Sequence, residues 1–365
     1  MSPETKPATV AFSGQQTAII ADSAGSLIIS HHVNLPELQP DALLIKVVAV
    51  AVNPSDAKLT GPMAAPGAQA GSDCAGVVVA VGAAIDQDRF RVGDRICAPT
   101  LPMDPLFPRD GAFAQFVAVL THLALRVPEH MSFEQAAAVG TSVATAGHAL
   151  FRSLRIPGHP ERPAAKAATV LVWGGSSATG TMAIQLIQRS GCVALAACSP
   201  RNFELAKKCG AVEVFDYNDA DCAAHIRSYT GNALSFALDC VCSEESMQGC
   251  YAAIGRAGGS YTTLEPFSQR LHTRKRVRPE FILAVSLFGR DISWKEPYGR
   301  AKDLELGDFG RDWFRCVQGM LDRGEIHPHP LRTQHKRQGF EGILDGVDLL
   351  KQRAVSGEKL VYRIQ

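Results

Sequence analysis

Apolar residues along the chain gather in short runs separated by turn formers, and the runs change character partway along. Residues 41–51 (DALLIKVVAVA) and 76–81 (GVVVAV) are rich in β-branched and apolar side chains, and the second run leads to the turn-like Val92-Gly93-Asp94-Arg95. They predict strands of a β-rich first region. Ser132 precedes Phe133, Glu134 and Gln135. Its hydroxyl can cap a helix start while Gln135 reaches back, which predicts an alanine-rich helix through His148. Residues 156–168 (IPGHPERPAAKAA) carry three prolines and no apolar periodicity, so a loop or short linker is expected there.

Beyond that linker, apolar runs alternate with helical patterns. Residues 169–173 form a strand-like run, and residues 179–189 carry apolar positions at helical spacing before Gly191, a C-cap candidate. Residues 193–198 are the next run, after which Ser199 and Pro200 suit a helix start and Gly210 its end. Strands are expected at 212–215, 236–240 and 260–264, with helices at 223–229 and 246–254 between them. Repeated strand–helix units predict a parallel, doubly wound sheet. Residues 281–288 (FILAVSLF) read as one more buried strand, and 309–323 as a helix with Trp313, Val317 and Met320 on one face. The tail predicts a helix at 340–351 and a strand at 359–364 that returns to the first region.

Length and charge narrow the class. A chain of 365 residues exceeds what one core usually supports, so two domains are expected. A formal charge of +1 argues against a general binder of nucleic acid or membrane surfaces. The first residues (MSPETKPATVAFSG) lack the order of a signal peptide, and no long apolar run suggests a span, which predicts a soluble, intracellular, cytoplasmic protein. Ten scattered cysteines contain no CxxC pair, so neither a disulfide framework nor a structural zinc is encoded.

The loop after the first strand of the alternating region is Gly174-Gly175-Ser176-Ser177-Ala178-Thr179-Gly180, directly followed by a helix. Small residues permit close approach to a pyrophosphate, and the helix N-terminus faces it, as in a dinucleotide loop of the Rossmann type. The middle glycine of the usual fingerprint is replaced by Ser177 or Ala178. At the end of the second strand, where an NAD site places a carboxylate for the ribose hydroxyls, the chain has Ala197-Cys198-Ser199-Pro200-Arg201-Asn202. Arg201 can pair with a ribose 2′-phosphate while Ser199 and Asn202 donate to it, so NADPH is preferred over NADH. Tyr217 can stack on adenine or reach the phosphate; as a plain surface residue it would be equally unsurprising.

Asn53-Pro54-Ser55-Asp56, Gly71-Ser72-Asp73-Cys74-Ala75-Gly76, Val92-Gly93-Asp94-Arg95, Gly111-Ala112-Phe113-Ala114-Gln115-Phe116 and the loop at Gly174 follow one another over nearly the whole chain. In this they resemble quinone-oxidoreductase-like medium-chain dehydrogenases/reductases. The resemblance implies an α/β fold: a Rossmann doubly wound parallel sheet (151–326) plus a discontinuous β-rich GroES-like substrate domain (1–150, completed by 327–365). Zinc members carry Gly-His-Glu where this chain has Gly71-Ser72-Asp73, and a four-cysteine lobe missing here, so the resemblance implies hydride transfer without metal. It also implies coenzyme contacts at Asn53, Pro54, Ser55, Asp56, Ser176, Ser177, Ala178, Thr179 and Leu264. The superfamily commonly pairs across the edge strand, expected near 281–288, and the sequence leaves oligomeric state open.

Further segments are similar to the trans-acting enoyl reductases that serve fungal highly reducing polyketide synthases, often hybrids with peptide synthetases (PKS-NRPS). They include Phe133-Glu134-Gln135-Ala136, Asn202-Phe203, Phe215-Asp216-Tyr217, Ala237-Leu238-Asp239-Cys240, Pro297-Tyr298-Gly299-Arg300 and Ser356-Gly357-Glu358-Lys359-Leu360-Val361. This likeness implies NADPH-dependent reduction of the α,β double bond of an acyl thioester held on the partner synthase's acyl carrier domain. Lys58, on a loop that lines the family's cleft, is a candidate for the thioester oxyanion or the pantetheine arm. Thr145 occupies a position where the family contacts nicotinamide or substrate. As ordinary residues, Lys58 would be solvated and Thr145 would bond the preceding helical turn. No obvious proton donor emerges. The run 270–278 (RLHTRKRVR) is a local basic cluster that either docks an acidic carrier or is solvated loop. Two other functions remain open: a freestanding quinone or alkenal reductase, favoured by activity on quinones alone, and a non-catalytic nucleotide-binding partner of the synthase, favoured by NADPH binding without turnover.

Overall fold

In this computed structural model, residues 14–86 and 89–364 are described. The leader reading of the first residues therefore concerns a stretch, 1–13, that lies outside the described residues. In chain order the first strands are β1 (Gln15–Ala21), β2 (Leu27–Asn34), β3 (Ala42–Ala51), β4 (Asp73–Val81), β5 (Arg95–Pro99), β6 (Phe116–Leu120) and β7 (Leu125–Arg126). A short helix, α1 (Pro54–Lys58), lies between β3 and β4, and α2 (Phe133–Ala137) and α3 (Gly140–Gly147) follow β7. The alternating half contributes β8 (Thr169–Trp173), α4 (Ala178–Arg189), β9 (Val193–Cys198), α5 (Phe203–Lys208), β10 (Glu213–Asp216), α6 (Cys222–Tyr229), β11 (Phe236–Asp239), α7 (Glu244–Ala253), β12 (Gly259–Thr263) and β13 (Val277–Phe281). The chain ends with α8 (Leu304–Asp322), β14 (Leu331–Arg332), α9 (Gly339–Lys351) and β15 (Lys359–Arg363).

The chain divides into two compact units. One holds the residues described up to Thr141, together with Val285–Gln318 and the chain from Pro330 onward. Its principal sheet runs β14-β15-β3-β4-β5-β7, with β6 also paired to β3 and β1-β2 forming a separate hairpin. β15 pairs antiparallel with β3, so the tail returns to the first sheet. The core gathers Leu43, Ile45, Val50, Val78 and Ile96 from the sheet and Phe113 from the loop before β6 with Ile343 and Val347 from α9. The central strands β3, β5 and β15 are buried almost along their whole length, whereas β6 alternates buried and half-buried positions. Links that tie 285–318 to this unit include the Arg290–Asp110 ion pair, Ser293 N–H to Asp104 at 2.8 Å, and Trp294 Nε1 to the Pro102 carbonyl at 2.8 Å. The sequence pattern had grouped this stretch with the second domain.

The other unit, Ser142–Ala284 with Gly319–His329, carries a parallel sheet in the order β10-β9-β8-β11-β12-β13. This is the doubly wound order whose reversal beside its first strand marks the ligand end of the sheet. The helix expected through His148 is in fact three pieces: α2 begins with the anticipated Ser132–Gln135 capping box, α3 follows, and a wider π turn occupies His148–Ser153.

The apolar run 281–288 is not a strand. Ala284–Phe288 is a 3-10 turn that buries Leu287 and Phe288, and the last strand is β13, which lies partly in the basic run. An apolar run reports burial without reporting conformation. β13 is the sheet edge, and Pro279 within it has no N–H to offer a further strand. We therefore expect no dimer through this edge. Sedimentation at micromolar concentration should give the mass of one chain, and Pro279→Val should increase self-association; a stable wild-type dimer lost on mutating β13 would refute this.

Candidate functional site

In the second unit the loop after β8 turns on Gly174, whose φ of +81° is one that side-chain-bearing residues avoid. Gly180 lets the first turn of α4 pack on that loop, because a Cβ there would stand 2.3 Å from the Gly174 carbonyl oxygen. Ser177 is the N-cap: its Oγ accepts from Gly180 N at 3.0 Å and donates to the Gly174 carbonyl at 2.8 Å. The residue in place of the fingerprint's middle glycine thus spends its hydroxyl on holding the loop. Ser176, Ala178 and Thr179 are half-buried. The N–H groups of Ala178 and Thr179, in the first helical turn, have no intrahelical acceptor and point where an anion is stabilised.

The strand ends beside this loop bring the expected adenosine residues together. Ser199 Oγ and Tyr217 OH lie 3.0 Å apart, joining the ends of β9 and β10, and Asn202 Nδ2 donates to Ser176 Oγ at 3.2 Å. Arg201 is exposed in the 3-10 turn Pro200–Asn202 and makes no ion pair among the described residues. Asp216, in register with Cys198, has its Oδ1 turned into the Asn218 turn at 2.9 Å. A diphosphate dinucleotide fits this donor set: helix-end amides, hydroxyls and one uncommitted guanidinium.

Asp239, at the end of β11, is an anchor that the sequence did not reveal. Fully buried, its carboxylate accepts from Val241 N and Cys242 N at 2.9 Å each, from Ser246 Oγ at 2.6 Å and from Tyr261 OH at 2.9 Å. Burial raises its pKa, opposed by those donors. The loop it fixes carries Cys242, whose Sγ accepts from Leu264 N at 3.3 Å, which sets the position of Leu264 after β12. Thr145 is buried within α3.

The first unit contains a second buried polar cluster. Lys359 Nζ, on β15, donates to Asp73 Oδ2 at 2.9 Å and to Asn53 Oδ1 at 2.8 Å. Asn53 Nδ2 reaches the same Asp73 oxygen at 2.9 Å, and Asp73 Oδ1 accepts from Thr141 N at 2.7 Å. The Asp56 carboxyl closes the turn that starts α1, accepting from Asn53 N at 2.7 Å and from Ser72 Oγ at 2.6 Å. Burial pushes the Asp56 pKa up to about 7. Cys74, buried beside Asp73, has its thiol pushed well up by burial, which disfavours a thiolate there. Of the other residues expected here, Pro54 and Lys58 are exposed, Lys58 in the last turn of α1, while Ser55 is half-buried with its Oγ 3.2 Å from Ser72 Oγ.

The basic run is largely committed to structure. Arg274 donates to the carbonyls of Tyr251, Ile254 and Gly255 at the end of α7, Arg270 pairs with Glu244, and Arg278 donates to Ser260 Oγ. Arg270, Lys275, Arg276 and Arg278 are the exposed charges of the run.

Two family models match the chain: the alcohol dehydrogenase GroES-like domain over residues 39–129 and the zinc-binding dehydrogenase domain over residues 178–263. The alcohol dehydrogenase superfamily protein of Novosphingobium aromaticivorans superposes with a TM-score of 0.77 at 22% identity, covering 96% of this chain and 100% of that one. CurK enoyl reductase gives 0.74 at 18%, with coverage of 96% and 100%. Fold and loop together define a medium-chain dehydrogenase/reductase, a superfamily whose enoyl reductases bind a nicotinamide coenzyme. The trans-enoyl reductase fsa3 of Fusarium sp. (strain FN080326) is 46% identical over 96% of this chain and 99% of its own, and the trans-enoyl reductase caaB of Aspergillus niger is 46% identical over 98% and 99%. The chain belongs to the trans-enoyl reductases, which are oxidoreductases.

One of the two matching families is named for zinc. The cluster at Ser72-Asp73 offers hydroxyls, carboxyls and a carboxamide, with no thiolate or imidazole, and the Lys359 ammonium already lies against Asp73 and Asn53. This donor set does not fit a tetrahedral zinc.

Proposed function

We propose that the protein reduces the α,β double bond of a polyketide acyl thioester, using NADPH and no metal, while the acyl chain is carried on the acyl carrier domain of a partner polyketide synthase. Membership in the trans-enoyl reductases carries the reaction class. The observation that carries NADPH is the end of β9, where Arg201 is exposed and makes no ion pair among the described residues, next in sequence to the Ser199–Tyr217 pair. A 2′-phosphate gains a charge-assisted partner there that a plain ribose hydroxyl does not exploit.

When bound, the coenzyme supplies hydride to the β-carbon of the enoyl group. The chain's residues do the rest. Amides of Ala178 and Thr179 hold the pyrophosphate, Arg201, Ser199, Asn202 and Tyr217 hold the adenosine end, and the Asp239-anchored loop with Leu264 positions the nicotinamide ribose end. Asn53, Pro54, Ser55 and Asp56 shape the coenzyme's contact with α1, and Thr145 contacts nicotinamide or substrate. Charge that accumulates on the thioester oxygen is offset by the Lys58 ammonium, on the exposed end of α1. The Lys359 ammonium fixes Asp73 and Asn53 in the place where zinc members have metal-site residues. Among the described residues no helix is long and apolar enough to cross a membrane, consistent with a partner met in water.

Steady-state assays decide the reading. A but-2-enoyl thioester should be saturated with consumption of NADPH, faster than with NADH, and chelation should leave the rate unchanged. Quinone reduction with no thioester turnover would reassign the protein as a freestanding reductase, and coenzyme binding with no turnover of either would make it a non-catalytic partner.

A further inference from the structure

Saturating an enoyl thioester takes a proton as well as a hydride, and the first unit holds a route for one. Asp56 is 2% exposed and Ser72 5%, and Ser72 Oγ lies 2.6 Å from Asp56 Oδ1. Ser72 Oγ is in turn 3.2 Å from Ser55 Oγ, and Ser55 is half-buried. The three oxygens form an unbroken chain from a buried carboxyl to the surface of α1. The far oxygen of the carboxyl, Oδ2, is held by Asn53 N at 2.7 Å, so Oδ1 stays aimed at Ser72. Ser72 is fixed from behind, because its carbonyl accepts from Thr141 Oγ1 at 3.2 Å.

We propose that Asp56, acting through Ser72, supplies the proton that Ser55 delivers to the substrate's α-carbon. This rests on the enoyl-reduction reading above. The balance is simple. Hydride transfer forms the C–H bond at the β-carbon, breaks the carbon–carbon π bond and leaves the electron pair as an enolate; the dihydronicotinamide is oxidised and the alkene is reduced. The Ser55 O–H bond then breaks as the α-carbon takes its proton. Ser55 regains one from Ser72, and Ser72 one from the Asp56 carboxyl, which is left ionised. Water reprotonates the carboxyl through the same oxygens in reverse. Ser55 is thus the donor that touches substrate, and Asp56 is a positioning and proton-storing residue that acts through it.

A carboxyl can store a proton near neutrality only if its environment resists ionisation, and this one does, its pKa standing at about 7 through burial. The charged groups bearing on it are Asp73 of β4, which raises the value further, and Lys359 of β15, which lowers it. Helix α9 packs on α1 and buries Gly342, Ile343, Gly346 and Val347, the two glycines against Tyr362, with Asp345 spent on Arg337 and Asp348 on Lys351. The store is full when Asp56 is protonated, so turnover should be sustained below that pH and decline above it.

The test uses the N-acetylcysteamine thioester of 2-methylbut-2-enoic acid with NADPH, because protonation creates a stereocentre whose handedness records a fixed donor. The wild-type product should be a single enantiomer, with kcat falling as pH rises through about 7. Asp56→Asn keeps an acceptor for Asn53 N but stores no proton; it should lower kcat about a hundredfold with little change in KM and lose the basic limb. Ser55→Ala, which leaves Asp56 and the turn intact, should give a product of mixed handedness, and Ser55→Thr should restore one hand. Both variants keeping the wild-type pH profile and enantiomer ratio, or a racemic wild-type product, would overturn the relay alone. A wild type that consumes no NADPH with any enoyl thioester would instead sink the reading on which the relay rests.

Discussion

Replacing Lys359 by Met should destabilise the protein by about 3–5 kcal/mol, seen as a lower urea midpoint at unchanged slope. The reason lies in desolvation. Lys359 and Asp73 side chains are 3% and 0% exposed, so the methionine leaves a carboxylate in the interior without its cation. Asn53 loses its Lys359 bond as well, and with it part of the support for the start of α1. Combining Lys359→Met with Asp73→Asn removes both charges and keeps an acceptor for Thr141 N, and should recover much of the loss. A single variant that costs under about 1 kcal/mol, or a double variant no better than the single, would show that the pair is not what holds Asp73 in place.

Removing the guanidinium in Arg201→Ala should weaken NADPH binding about 10–100-fold while leaving NADH binding and the unfolding midpoint unchanged. Hydrogen bonds to a charged group are worth about 1.5–3 kcal/mol, which converts to that range of affinity. Because Arg201 is exposed and makes no ion pair among the described residues, nothing else in the fold should register its loss. Calorimetric titration with each coenzyme separates the outcomes. Equal weakening of both would place Arg201 on the pyrophosphate instead, and no weakening would remove it from the site.

What could be read beforehand was local. The Ser132–Gln135 box and the turn at Gly174 depend on residues within a few positions of one another, and both form; Gly191 and Gly210 end their helices with positive φ one residue beyond the C-caps Ser190 and Cys209. The strand series of the second unit was equally legible, because buried parallel strands read as continuous apolar runs. The edge strand was not. β13 mixes Arg278, Pro279 and Glu280 with apolar neighbours, since one side of it has no partner, and the fully apolar run just after it went into a turn. The hairpin of β1 and β2, with His31 and His32 in its second strand, lies ahead of the first element that the pattern predicted.

The site divides along the same line. Loop residues 176–179 and the cluster at 199–202 announce themselves by position after a strand. Lys359 stands 286 residues from Asp73, and a lone lysine ahead of an apolar strand reads as solvated until the fold buries it. The resemblance implies a coenzyme contact at Asp56, but its raised pKa follows from burial that no local pattern states. Asp239 was visible only as a motif letter; its four donors come from the loop after β11, from α7 and from β12.

The central claim is saturation of a carrier-bound enoyl chain at the expense of NADPH. Its most direct test is intact-mass spectrometry of a synthase acyl carrier domain loaded with an α,β-unsaturated acyl chain and incubated with the protein and NADPH. The carrier should gain the mass of two hydrogens, and with 4-deuterated NADPH of the transferable face one of them should be deuterium. A carrier whose mass stays constant, while the protein is folded and binds the coenzyme, would contradict the account.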